Sequence, residues 1–105
     1  MKLSVWALRG IMRLNPTSPR LDQMQAENFR SQGRYDLALK YLQFAAGAEP
    51  KLPEVHLVMG EIYAEQGKIK EALNEVRLEM EIVPYSARAQ ALKEELEARA
   101  ATTPE

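Results

Sequence analysis

The chain contains no cysteine, which excludes disulfides and thiolate metal sites. That absence does not choose a compartment, since periplasmic proteins also manage without disulfides; a soluble protein, cytoplasmic or periplasmic, is expected. The one histidine, His56, cannot by itself build a histidine metal site or serve an imidazole triad whose other members are missing. Lys and Arg number 14 against 15 Asp and Glu, so no basic field argues for nucleic acid. No apolar run reaches the roughly 20 residues that a membrane-spanning helix needs. Glycine appears singly, as at Gly33 and Gly67, and never as a loop that could cradle phosphate. What remains, at 105 residues, is one domain with a modest core.

What is present is periodicity. Residues 26–50 read as two short helices with a turn at Gln32-Gly33-Arg34. Leu37, Ala38, Tyr41, Leu42 and Ala45 recur at helical spacing as one apolar stripe. Displacing the chain by 34 residues brings Gly33 onto Gly67, Ala38 onto Ala72, Phe29 onto Tyr63, Ala26 onto Gly60 and Pro50 onto Pro84. The opposite displacement brings Pro50 onto Pro16. A fixed period of this length signals a repeat architecture.

Small residues at Ala26, Gly60, Ala38 and Ala72, aromatics at Phe29 and Tyr63, helix-ending Gly33 and Gly67, large apolar Leu42 and Val76, and the three prolines together resemble the tetratricopeptide repeat. The resemblance covers roughly residues 2–99. It implies an all-α, right-handed superhelix of antiparallel helix pairs, about six helices in all. Residues 1–16 would be the second helix of a partial unit. Residues 19–50 and 53–84 would be complete units, 87–99 a polar-backed capping helix, and 100–105 a flexible tail.

Three readings of residues 1–15 compete. Arg9, Arg13 and the lack of a small-residue cleavage site disfavour a secretory leader. Trp6 beside basic residues leaves a membrane-surface helix open. The phase of Pro16 favours the partial repeat, with Ser4 at the small crossing position and Leu8 at the large one. The first helix of that unit is absent, so Val5 and Trp6 are expected to be uncovered, facing another copy, an upstream segment or an anchor. Further on, Ser18 and Ser86 read as helix caps, with Pro19 and Pro53 in first turns.

Two positions depart from the pattern. Glu79 stands where Ala45 is small, and Lys93 where Met59 is apolar. Either they meet at a half-exposed junction, or the terminal helix packs obliquely and leaves both in water. Gln25, polar where Met59 lies one repeat later, is a third departure.

Carried over from the family, the first helices line a concave surface for a partner polypeptide. Its residues here would be Arg20, Gln23, Met24, Glu27, Arg30, Leu57, Val58, Glu61 and Glu65, with Ser31, Glu54 and Ala64 beside them and Arg88, Ala91 and Glu95 extending it. Met24, Leu57 and Val58 would form an apolar floor. The carboxylate clamp of some members is missing, since Gln23 and Glu27 occupy two of its places. Glu61 and Glu65 share a helix face, but nothing in the sequence raises their pKa, so no catalytic role, cofactor or metal is expected. The expectation is a non-enzymatic scaffold or adaptor binding another protein or peptide. The alternative is a homo-oligomerising assembly protein that uses Val5 and Trp6. Membrane contact is expected only if an upstream anchor is missing from this chain.

Overall fold

The computed structural model describes residues 18–102, and among them there are five helices and no strand. They are α1 (Pro19–Ser31), α2 (Tyr35–Ala48), α3 (Val55–Glu65), α4 (Ile69–Ile82) and α5 (Ala87–Thr102). Residues 1–17 and 103–105, which include Val5 and Trp6, lie outside the described part. Each helix packs on its neighbour in sequence, α1 on α2, α2 on α3, α3 on α4 and α4 on α5, and α5 also reaches α3. This is a helical repeat, as the resemblance implies.

The two glycine turns are built alike. Gly33 has φ +76° and Gly67 φ +79°, left-handed values that a side chain disfavours. At the first, the Gly33 N–H donates to the Arg30 carbonyl at 2.9 Å and the Arg34 N–H to Phe29 at 2.9 Å. At the second, Gly67 donates to Ala64 at 3.0 Å and Lys68 to Tyr63 at 2.8 Å. Both patterns satisfy carbonyls that a helix end would otherwise strand, and both reverse the chain within three residues.

At the crossings the small residues are sealed: Ala26, Ala38 and Ala72 are 0% exposed. A Cβ added to Gly60 would meet the Ala72 carbonyl and a Val76 methyl, each at 3.3 Å, so α3 and α4 lie closer here than most side chains permit. Leu39, Leu42, Leu52, Val55, Val58, Met59 and Ile62 form one core across α2 and α3. Leu57, Ala64, Val76, Ala89 and Leu96 form a second, against α5, and Tyr63 packs on both. α5 buries Ala89 and Leu96 and leaves Glu94, Glu95 and Glu97 exposed, the polar-backed arrangement expected of an end helix. It also runs on through Thr102, three residues past the predicted end.

The helix starts differ from one another. Ser18 Oγ accepts the Leu21 N–H at 3.2 Å, and Ser86 Oγ accepts the Ala89 N–H at 3.1 Å, as the sequence suggests. The position midway between them in the repeat is Leu52, which cannot cap and is buried in the core instead. Pro53 is not in a first turn: α3 begins two residues later, after Glu54 at φ +78°. The missing cap is supplied from α4. Glu79 Oε2 accepts the Glu54 N–H at 2.9 Å, and its Oε1 accepts the Leu57 N–H at 3.2 Å. Glu79 is 1% exposed. Both sequence expectations for it therefore fail: it neither meets Lys93 nor stands in water. Its negative charge lies at the positive end of α3, against donors that burial makes expensive to leave alone.

Candidate functional site

The helices α1, α3 and α5 share one side of the molecule and enclose a groove of about 410 Å³. It is lined by Arg20, Gln23, Met24, Glu27 and Arg30 of α1, Leu42 of α2, Val58 of α3, Arg88 of α5, and Glu54 from the turn before α3. The i, i+3, i+4 spacing on α1 puts its five residues on one face. Gln23 Nε2 donates to the Pro53 carbonyl at 3.0 Å and so ties α1 to the turn that carries Glu54.

Of the residues carried over from the family, Arg20, Gln23, Met24, Glu27 and Arg30 line this groove, and Glu61 and Glu65 lie beside Arg30. Met24 is 66% exposed. Val58, 7% exposed, lies at the groove floor, and Leu42, which the sequence assigns to the core stripe alone, lines it from beneath at 1% exposed. Leu57 is the exception. At 1% exposed it belongs to the second core, with Val76, Ala89 and Leu96, and offers nothing to a ligand. Val58 and Leu57 are adjacent on a helix, so they point about 100° apart, and α5 covers one of them.

The charges form a continuous ladder. Arg30 reaches Glu61 and Glu65, each at 3.0 Å, with Glu27 at 3.7 Å. Arg88 reaches Glu61 at 3.0 Å and Glu54 at 3.1 Å. Glu61 thus accepts from two guanidinium groups, one on α1 and one on α5. Burial would lower the Arg30 pKa, but Glu65 and Glu61 outweigh it and hold the group above its ordinary value. The pair Glu61 and Glu65 is held by these arginines. Arg20, exposed on the rim, has no such carboxylate among the described residues.

Behind the groove, His56 Nδ1 lies 2.7 Å from Glu75 Oε1, each side chain 15% exposed. This hydrogen bond raises the His56 pKa, burial opposes it, and the charges of Glu75 and Glu79 add to the rise. The position is partly buried against the neighbouring helix, and its partner is a carboxylate. Among the described residues no group of His, Asp and Glu could hold a metal ion, and no helix is long and apolar enough to cross a membrane.

A profile of the family described as Tetratricopeptide repeat matches residues 29–96. The comparison with curated proteins returned no match.

Proposed function

Since the chain belongs to the tetratricopeptide repeat family, whose members are protein-interaction modules, we propose that it is a non-enzymatic adaptor holding a partner polypeptide in the groove of α1, α3 and α5. The observation that carries this reading is the composition of that groove. Met24 stands exposed above the Val58 and Leu42 floor, with Arg20 free on the rim. An extended or helical segment with one apolar anchor and an acidic neighbour matches this surface. Purely ionic ligands match it poorly, because Arg30 and Arg88 already have carboxylate partners.

The test compares two surface variants in affinity capture. Met24→Glu combined with Arg20→Glu changes the groove, while Lys40→Glu changes the exposed side of α2. A partner held by the wild type and by Lys40→Glu is expected to be lost by the groove variant. A partner retained equally by all three moves the binding surface elsewhere.

A further inference from the structure

A second concavity, of about 340 Å³, lies between α4 and α5, and none of its residues lines the groove. Leu73, Val76 and Met80 of α4 give it an apolar floor. Arg77 and Glu81 of α4 and Lys93 and Glu97 of α5 stand around that floor, Lys93 half-buried beside it. Arg30 and Arg88 in the groove each hold carboxylates. These four charged side chains, by contrast, make no ion pair or side-chain hydrogen bond with a described residue.

A further repeat packed in the family manner does not fit here. At the 34-residue period, Met59, Gly60 and Tyr63 of α3 correspond to Lys93, Glu94 and Glu97 of α5. Gly60 lets α4 approach so closely that an added Cβ would meet the Ala72 carbonyl and a Val76 methyl at 3.3 Å. Glu94 is long, charged and exposed, and it accepts from Gln90 Nε2 at 2.9 Å. No helix can seat on α5 at this point as α4 seats on α3. The cleft beside Glu94 needs an occupant of another kind.

Its charges define one. Packed together and joined by a short turn, α4 and α5 run antiparallel. Arg77 and Lys93 stand equally far along the chain from that turn, Glu81 nearer to it and Glu97 farther. The cleft therefore reads acidic, basic, acidic along its length, with about 5.4 Å, one helical turn, per step. A second copy of the same face, related by a two-fold axis through the cleft's centre, would set basic middle against basic middle. A segment with the inverse series meets opposite charge at every step. A helix with residues at four-residue spacing matches those steps.

We propose that the α4–α5 cleft is a second docking site, for an amphipathic helix of a partner protein. That helix presents a central carboxylate to Arg77 and Lys93, a basic residue to Glu81 and another to Glu97, and apolar side chains to Leu73 and Met80. The site is independent of the groove and stands whether or not the groove holds a ligand.

The intact chain is titrated with two labelled synthetic helices. One carries lysine, glutamate and lysine at four-residue spacing, with a leucine immediately before the second and third of them. The other has lysine at all three places. Wild type is expected to bind the first at least about tenfold more tightly, and Arg77→Glu combined with Lys93→Glu to prefer the second. Amide shifts on binding the first helix should centre on Leu73, Met80 and Lys93 and spare Met24. Equal affinity for the two helices, no saturable binding of either, or shifts centred on Met24 overturns the proposal. So does a wild-type dimer in sedimentation that Lys93→Glu dissolves, since it gives the face to a second copy.

Discussion

Glu79 is the residue whose removal should be felt most for its size. A carboxylate at a small-residue position looks like a defect, yet its two oxygens take the Glu54 and Leu57 N–H groups at the start of α3. Glu79→Ala strands these donors and opens a void where the side chain was. Each stranded donor costs about 1–3 kcal/mol, so the urea midpoint is expected to fall clearly. A variant more stable than wild type would contradict the capping role. Glu79→Gln is a stricter probe of the same role. It keeps the volume and one acceptor but turns an amide N–H₂ toward the other donor, and a loss comparable to that of alanine is expected.

At the scale of paired helices, α3 and α4 are joined by close approach at Gly60 and by the His56–Glu75 hydrogen bond. A folded-state pKa above the ordinary histidine value means that the native chain holds this proton more tightly than the unfolded one. The stabilisation is complete below about pH 6.5 and is lost as pH rises through the raised value. Denaturation midpoints measured between about pH 5.5 and 8.5 should therefore decline with rising pH. Glu75→Gln should flatten most of that slope, and an equally steep slope in Glu75→Gln would show that another group titrates.

Across the whole molecule, the cores are joined through Tyr63, and α5 closes the second of them. Leu96 is 0% exposed at that closure. Leu96→Ala is expected to cost about 2–5 kcal/mol, and its amide exchange should quicken first in α5. Uniform acceleration from α1 to α5 would instead mean that the array opens as one unit. The period, the glycine turns and the small crossing residues were legible in the chain because each is a local requirement repeated every 34 residues. Glu79 was not, because its donors lie 25 and 22 residues away and the vacancy it fills exists only because Leu52 stands where Ser18 and Ser86 cap their helices. Nor was the burial of Leu57, which depends on where α5 lands. The groove was readable as a set of α1 positions, whereas the pairing of its charges needed three helices in place.

Glu61 is gripped by Arg30 from one flank and Arg88 from the other, so a single carboxylate pins the spacing of α1, α3 and α5. A guest that bids for either guanidinium must loosen this pin. Occupancy of the inner surface is thereby linked to how tightly the coil of helices is wound.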